Sequence, residues 1–414
     1  MRQILQNLPD NYKSIAKNTS LLFGVRISQK LLGLAAMYFV VRAIDQEMFG
    51  QYQFILSIIA FFSFFALPGV NNAIMQSVAR GHLGTYRLLL PYSFAGSVLG
   101  ALVLLVMAGW YYRIGHNYEM VVGFFLAATL FPFSRGLIQW RAMKAGTENF
   151  SALVIWEGGA AILTQIMVIT GVLIFPGTFL VPLLFVLAVP AVQDLFLTGR
   201  TYRQVESDAS VEQGSLSYGL KTSFYALPAM LAQHIEKFLL FFFFSPAVLA
   251  LFVAAEKIPD MTKNLIQDFA TVLAPRLARH KNYTARLDRV FKWIALAAAV
   301  SIVLVAFTIL PWFFVLLFGE TYEEAVPYAS ALMCSVAVGN AAMLHTRFIR
   351  SQMDAHSVRD IYLVFACVKI ATAAVLVPLY GLPGAVISVF LTRIVSVVTV
   401  HFIIQKRYPI HPAT

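Results

Sequence analysis

Apolar runs of about twenty residues alternate along the chain with short breaks that contain polar residues, proline or glycine. A run of this length is what an α-helix needs to cross the hydrocarbon core of a bilayer. The pattern predicts about twelve membrane-spanning helices. Their ranges are 20–42, 53–75, 88–110, 120–140, 152–175, 179–197, 220–244, 247–274, 290–318, 325–346, 361–380 and 383–405.

The composition supports this interpretation. Hydrophobic residues make up 59% of the chain and charged residues only 12%, and the mean hydropathy is +0.74. A soluble domain keeps about a quarter of its residues charged, because its surface faces water. Much of this surface must therefore face hydrocarbon, and we predict an all-α polytopic membrane protein.

The basic residues between the predicted spans lie almost entirely on one side. If the N-terminus is cytoplasmic, the inner loops hold nearly all of them, Arg141, Arg347 and Arg350 included, whereas the outer loops hold only Arg42 and Arg113. Cytoplasmic loops of membrane proteins collect Lys and Arg. We therefore place both termini in the cytoplasm. The same topology explains the formal charge of +11, so we expect no nucleic-acid partner.

A polar stretch at 198–218 lies near the middle of the chain and divides it into 1–197 and 219–414. Each part holds six predicted helices, and we expect each to form a six-helix bundle joined by a cytoplasmic linker. Similar short segments open the sixth helix at 177–182 and the twelfth at 381–386. Six helices preserve orientation, so such a repeat would have its pseudo-two-fold axis along the membrane normal.

Ionisable residues occur inside the predicted spans, where each costs about 2.5–3.5 kcal/mol on insertion scales and so faces a cavity or a partner. Their balance is basic, which suits an anionic cargo, and Arg offers a phosphate a planar pair of donors. We predict that five cations line a lumen and contact the cargo: Arg26, Lys30, Lys237, Lys257 and Arg393. Four acids are candidates for coupling to protons or sodium: Glu157, Glu236, Asp260 and Asp268. The alternative is that these cations and acids pair with one another and only hold helices together.

Enzyme classes find little support. The chain has no G-x-x-x-x-G-K-[ST] phosphate loop, no nucleophile elbow and no clustered His/Cys metal ligands. Its outer loops are about ten residues or shorter by the spans above, whereas membrane-embedded polysaccharide polymerases and ligases carry a large external loop. We expect a transporter without a cofactor or a bound metal.

Several motifs, in their order along the chain, resemble one family, the polysaccharide flippases of the multidrug/oligosaccharidyl-lipid/polysaccharide (MOP) exporter superfamily. These motifs are Met48-Phe-Gly50-Gln-Tyr52, Pro68-Gly69 followed by Ser77-Val-Ala-Arg80, Leu317-Phe-Gly319-Glu-Thr-Tyr322, and Pro378-Leu-Tyr-Gly381-Leu-Pro-Gly384. The resemblance covers nearly the whole chain. It implies two six-helix bundles that form a V around a central cavity.

The resemblance also implies a function. Such a flippase would move an undecaprenyl-pyrophosphate-linked oligosaccharide, such as an O-antigen unit for lipopolysaccharide, from the cytoplasmic to the periplasmic leaflet of the bacterial inner membrane by alternating access. Its partners would be this glycan, membrane lipids, and a polysaccharide polymerase with its chain-length regulator, and we expect a monomer. Alternatives in the same superfamily are a cation-coupled multidrug exporter and a lipid II flippase, which typically has two additional C-terminal helices. Relatives often carry Asp in helix seven, where this chain has Glu236.

Overall fold

The computed structural model describes residues 10–114, 117–278, 283–352 and 354–408. Within these ranges, the side chains at 10–23, 25–26, 268–278, 351 and 355 fall outside the description. The α-helices are α1 Asp10–Ala43, α2 Gln46–Phe62, α3 Pro68–Ala79, α4 Gly84–Ile114, α5 Tyr118–Gly136, α6 Gln139–Gly146, α7 Phe150–Ile174, α8 Leu180–Gln204, α9 Ser215–Phe243, α10 Pro246–Ala278, α11 Ala285–Thr308, α12 Leu310–Phe318, α13 Val326–Asn340, α14 Met343–Ser351, α15 Ala355–Tyr380 and α16 Leu382–Arg407. Short 3₁₀ turns lie at Ser63–Ala66 and Glu320–Ala325.

Each predicted span coincides with one of these helices or with a broken pair, so the all-α polytopic architecture is confirmed. In the described residues, nine helices are long and apolar enough to cross a membrane, and a tenth span forms if Glu320–Asn340 and Met343–Arg350, bent by 44°, are taken together. Helix α10, with 33 residues, is also long enough to cross a membrane, but it carries four charged side chains between residues 256 and 263. The chain is therefore a multi-pass membrane protein.

Local sequence explains where several helices begin. The side chains of Asn117, Asn149, Thr284 and Asp354 each accept a hydrogen bond from a backbone N–H in the first turn that follows. Such N-caps satisfy donors that have no partner within the helix. Between α15 and α16, Gly381 adopts a positive φ of 62°, which ends one helix before the next begins.

By its internal contacts the chain divides into two compact units. The first unit comprises the described residues up to Asp45 together with Ile58–Leu227, and the second comprises Gln46–Ser57 together with the described residues from Pro228 onward. This division differs from the predicted one in two places, because the start of α2 groups with the C-terminal helices and residues 219–227 group with the first unit. A short segment separated along the chain can join another bundle when its apolar face packs there.

The two units share a pattern of internal helix pairing. In the first unit, α4 packs on α5, α5 on α8, and α7 on α8. In the second unit, the helices at the corresponding places pair in the same way: α11 packs on α13, α13 on α16, and α15 on α16. The recurrence is what a parallel repeat of six membrane helices requires.

Only 205–214 of the predicted linker lie between helices, because 198–204 form the last turns of α8 and Ser215 begins α9. This loop is bound within the first unit. Arg80 Nη2 lies 2.8 Å from Glu212 Oε2, and the Ser77 hydroxyl donates to the same oxygen. These donors lower the pKa of Glu212, since they stabilise its carboxylate form.

One motif behind the family resemblance has a packing role in the second unit. A Cβ atom on Gly50 of α2 would lie 1.8 Å from the backbone oxygen of Pro246, the first residue of α10. No larger residue fits without moving one backbone, so glycine allows the two helix starts to touch. Nearby, the Gln46 side chain donates to the Ala247 oxygen at 3.3 Å.

Candidate functional site

A polar cavity of about 660 Å³ lies within the second unit. Residues of α9, α10, α13, α14, α15 and α16 line it. A site of this volume is in the range of pockets that hold small molecules, and a bilayer protein rarely keeps ionisable groups at membrane depth without a functional reason. The cavity is therefore our candidate functional site.

Helix periodicity brings the polar residues to the cavity. On α10, Glu256, Asp260, Lys263 and Gln267 recur at intervals of three or four residues and all line it. Residues at this spacing share one face of a helix. The same spacing places a second set on the neighbouring helices: Tyr362, Phe365 and Lys369 on α15, and Val389, Arg393, Ser396 and Val400 on α16.

A helix break adds two further cations. Helix α13 ends at Asn340, and the chain resumes as α14 at Met343 with a bend of 44°. Arg347 and Arg350 lie on α14 and line the cavity. They were predicted to lie in an inner loop, whereas the structure places them on the short helix α14, whose polar residues resemble a loop when hydropathy alone is considered.

Every lysine that lines the cavity is bound to a carboxylate. Lys237 Nζ lies 2.9 Å from Glu256 Oε2, and Lys263 forms an ion pair with Asp260 one turn away. Lys369 forms an ion pair with Glu236, and these two side chains are only 10% and 3% exposed. Charges removed from water in this way need both an opposite charge and further hydrogen bonds, and Ser388 donates one to Glu236 at 3.3 Å.

The arginines behave differently. Among the described residues, Arg393 forms no hydrogen bond and no ion pair, and the carboxylates whose charges reach it, Asp260 and Glu256, already hold lysines. Arg350 donates to the Tyr362 hydroxyl and lies 5.4 Å from the centre of that ring. Arg347 donates to the backbone oxygen of Gln267 at 3.4 Å. Among the described residues, Arg350 and Arg393 are therefore cavity cations that form no ion pair with a carboxylate.

The structure brings several of the predicted site residues together. Lys237, Asp260 and Arg393 line the cavity, and Glu236 is buried beside it against Lys369. Lys257 is half-buried on α10 but is not among the lining residues. Whether these residues contact cargo or couple to ions stays a prediction, although the pairing of Glu236 and Asp260 with lysines fits the structural alternative as well.

Other predicted site residues lie elsewhere. Lys30 is half-buried on α1, and Glu157 lies on α7, so both belong to the first unit and not to this cavity. The side chains of Arg26 and Asp268 lie outside the described residues. For these four residues, cargo contact and ion coupling remain predictions.

The first unit has a charged cluster of its own. Asp194 on α8 is fully buried and accepts hydrogen bonds from Trp140 Nε1 at 2.8 Å and Arg141 Nη2 at 3.1 Å, both on α6. Arg141 Nε also lies 3.4 Å from Glu157 Oε1. The charge of Arg135 reaches Asp194, and its Nε is buried without a hydrogen-bond partner in the described structure. Arginine here holds a buried acid and joins three helices.

Sequence reasoning omitted four cavity cations from the predicted site: Lys263, Arg347, Arg350 and Lys369. A usable signal existed for the two arginines, since they are three residues apart and would share a face if the segment were helical. Lys369 is a lone cation in an apolar span, and only the tertiary structure reveals its partner.

A model of the family described as "Polysaccharide biosynthesis protein" matches residues 15–281. This match covers more than half of the chain. The chain belongs to the polysaccharide biosynthesis protein family. Among curated protein sequences, no significant match to this member of the family is found.

Solved structures show the fold of this family member. It is similar to lipid II flippase MurJ in an inward closed conformation, with 12% identity, 93% of this chain and 87% of that chain covered, and a TM-score of 0.70. It is also similar to an inward-facing multidrug resistance MATE family transporter of the MOP superfamily, with 13% identity, coverages of 94% and 98%, and a TM-score of 0.66. A third is a MOP superfamily transporter from Pyrococcus furiosus, described as having a binding pocket of reverse polarity, with 14% identity, coverages of 94% and 94%, and a TM-score of 0.59. The fold is that of the MOP superfamily.

Proposed function

We propose that this protein is a flippase that moves an isoprenoid-diphosphate-linked oligosaccharide, such as an undecaprenyl-pyrophosphate-linked O-antigen unit, from the cytoplasmic to the outer leaflet. The chemistry requires a chamber that shelters an anionic, sugar-bearing head group while the lipid tail stays in hydrocarbon. Membership of a polysaccharide biosynthesis family and a MOP fold support this proposal. In this proposal the protein resides in a bacterial inner membrane with both termini in the cytoplasm.

The observation that carries the proposal is the charge of the cavity in the second unit. Its lining contains six Lys or Arg side chains and two carboxylates. A diphosphate would be repelled by hydrocarbon but attracted to such a surface, where the low dielectric strengthens electrostatic interactions. The lining also contains neutral side chains that can form hydrogen bonds with sugar hydroxyls: Gln233, Asn264, Thr346, Thr392 and Ser396.

The charge balance argues against a multidrug exporter for cations. A cationic drug would need an excess of carboxylates or an aromatic cage, whereas both carboxylates in this lining are already bound to lysines. The related transporter from Pyrococcus furiosus, whose pocket has reverse polarity, is an instance in which pocket polarity suggested a different function. Polarity is the property by which we separate the two functions here.

Energy coupling forms part of the proposal. A carboxylate that changes its exposure during alternating access can take up and release a proton or bind sodium. The candidates remain Glu157, Glu236, Asp260 and Asp268. If flipping in vesicles proceeds at the same rate with no ion gradient, the coupling role is removed and the flippase assignment stands.

Transport by the full chain in proteoliposomes tests the proposal. The substrate is a short-chain isoprenoid diphosphate that carries a fluorescent sugar, and a membrane-impermeant quencher reports its transfer between leaflets. We expect transfer at least about tenfold faster than in protein-free vesicles. Arg393→Gln should slow it strongly, while Arg289→Gln, which changes an exposed arginine at the start of α11, should not. Uptake of cationic dyes together with no transfer of the lipid would contradict the proposal.

A further inference from the structure

Three arginines lie together at one end of the first unit, away from the candidate site. Arg87 is in the first turn of α4, and Arg200 and Arg203 are in the last turns of α8. Arg87 is half-buried, whereas Arg200 and Arg203 are exposed. In the described part of the chain, none of the three forms an ion pair with a carboxylate. Their charges are therefore open to an anion.

Helix periodicity puts two of these charges at the end of an apolar stripe. Phe196, Arg200 and Arg203 are separated by four and three residues, so they share one face of α8. Val192 lies one turn before Phe196, and these two side chains are 69% and 57% exposed. In a multi-pass membrane protein, exposed apolar side chains on a spanning helix face lipid tails. The stripe thus changes from apolar to cationic at the helix end, where it meets the head-group layer.

Two contacts fix Arg87 beside this stripe. Its guanidinium carbon lies 4.3 Å from the ring centre of Tyr202, and its Nη1 donates to the backbone oxygen of Val205 at 2.9 Å. A cation–π contact holds the side chain without neutralising its charge. A guanidinium has five N–H donors, and the described structure gives a hydrogen-bond partner to only one of the two terminal nitrogens. The others can donate to a ligand.

The acids nearest along the chain do not compensate these arginines. Glu206 and Asp208 lie exposed in the loop after α8 and form no ion pair among the residues that the structure describes. Glu212, in the same loop, is already bound by Arg80 and by the Ser77 hydroxyl. An anion from outside the chain can therefore occupy the guanidinium donors.

The neighbouring surface identifies the kind of anion. Leu88 follows Arg87 on α4 and is 40% exposed, and α8 exposes Leu195 and Phe196. A free phosphate would contact only the arginines and leave this apolar surface unused. A phospholipid with a net negative head group uses both, because its phosphate accepts hydrogen bonds from guanidinium groups while its tails lie along the apolar residues. A zwitterionic phospholipid would add a cation that the arginines repel.

We propose that Arg87, Arg200 and Arg203 form a binding site for one anionic phospholipid, and that Tyr202 is the residue that positions Arg87 within it. The site belongs to the first unit and uses none of the residues that line the cavity of the second unit. It therefore goes beyond the proposed function and does not depend on it.

Native mass spectrometry of the purified full chain in detergent, titrated with phosphatidylglycerol, tests the site. Arg87→Gln should weaken binding of the first lipid about fivefold, and a variant with both Arg200→Gln and Arg203→Gln should weaken it about 25-fold. Arg289→Gln removes an exposed arginine at the start of α11 and should bind like the unmodified protein. Unchanged affinity in the double variant, or an equal loss in the Arg289 control, would overturn the proposal.

Tyr202 variants separate positioning from charge. Tyr202→Leu keeps all three arginines but removes the ring beneath Arg87, so we expect several-fold weaker binding. Tyr202→Phe keeps the ring and should bind like the unmodified protein. Equal affinity in these two variants would remove the positioning role.

The fold of each variant is checked by its thermal unfolding midpoint without lipid. Arg87→Gln loses a hydrogen bond to the loop after α8 and is the variant most exposed to misfolding. The double variant replaces side chains that have no partner in the described structure, so it tests the site even if Arg87→Gln does not fold.

Competing ligands identify the chemistry that is recognised. We expect phosphatidylglycerol to bind at least about tenfold more tightly than phosphatidylcholine with the same tails, since only the first carries a net charge. Equal binding of the two lipids would overturn the proposal. Displacement of phosphatidylglycerol by equimolar inorganic phosphate would reduce the site to a phosphate site, and displacement by farnesyl diphosphate would make it a contact for cargo. Either displacement would overturn the phospholipid assignment and leave the proposed flippase standing.

Discussion

The two units place arginines on equivalent short helices but use them in opposite ways. In the first unit, Arg141 on α6 binds the buried carboxylate of Asp194 on α8. In the second unit, Arg347 and Arg350 on α14 line a cavity. Helix α16, the counterpart of α8 in the repeat, contributes Arg393 to this cavity and no acid. The same residue type is therefore a structural tie in one unit and a candidate ligand contact in the other.

One difference between α8 and α16 lies near Arg393. When the starts of α8 and α16 at Leu180 and Leu382 are aligned, Asp194 corresponds to Ser396, one turn from Arg393. In the first unit, the carboxylate of Asp194 binds the guanidinium of Arg141 on the short helix. The hydroxyl of Ser396 carries no charge and cannot form such an ion pair. The comparison teaches that the availability of a buried cation depends on its neighbours across the bundle, since an unpaired charge persists only where a cavity or ligand accepts it.

The largest expected effect comes from breaking the structural tie. Asp194→Ala removes the acceptor of Trp140 and Arg141 and leaves the charge of Arg135 uncompensated, so we expect a loss of about 3–5 kcal/mol in the free energy of unfolding. Chemical unfolding in detergent, followed by tryptophan fluorescence, measures it. The control Glu157→Gln changes a carboxylate that is 44% exposed and should lose less than about 1 kcal/mol. Equal losses would show that burial does not distinguish the two acids.

The next effect concerns the buried pair beside the cavity. Glu236→Gln and Lys369→Gln should each destabilise the protein by about 3 kcal/mol, because each leaves an opposite charge buried alone. The double variant should be more stable than the sum of the two losses predicts, by at least about 1 kcal/mol. The double-mutant cycle is measured by chemical unfolding. Additive losses would show that Lys369 and Glu236 do not stabilise one another and would leave Lys369 available for cargo.

A smaller effect is expected from making the second unit resemble the first. Ser396→Asp places a carboxylate one turn from Arg393, and we expect it to neutralise that guanidinium and weaken pyrophosphate binding about tenfold, or 1.4 kcal/mol. Ser396→Asn has nearly the same shape and no charge, and should bind within about twofold of the unmodified protein. Calorimetric titration of both variants measures the difference. If both bind equally well, the contrast between the units does not arise from this position.

The smallest effect belongs to a charge outside the spans. Asp354 caps α15, and hydrogen bonds from Ser357 lower its pKa to about 2, with Tyr408 and Arg407 contributing. Because the folded pKa lies below the ordinary value, the carboxylate stabilises the fold above about pH 4, and this contribution is lost as the pH falls towards 2. Asp354→Asn should therefore lower stability at pH 6 by less than about 1 kcal/mol. Unfolding midpoints of both proteins should converge as the medium is acidified, and a constant difference down to pH 2 would contradict the assignment.

Part of the candidate site could be predicted because charged residues stand out in apolar helices. Lys237, Asp260 and Arg393 were identified in this way, and all three line the cavity. Arg347 and Arg350 were missed because α14 is short and polar, so hydropathy could not separate it from a loop. The roles of Lys257 and Glu157 could not be resolved either, since the face that a helix presents to its bundle depends on contacts with other helices.

The sequence by itself determined the all-α architecture and the position of every predicted span, because the bilayer forces each crossing segment to be apolar and to satisfy its backbone hydrogen bonds internally. Motifs along the chain also determined the family. Only the tertiary structure decided that α2 begins in the second unit, that the lysines of the cavity are bound to carboxylates, and that Arg393 lies against Gly339 with no ion pair among the described residues. These facts depend on distances between residues far apart in sequence. The pattern of apolar residues along one chain does not show which charged side chains form ion pairs with one another.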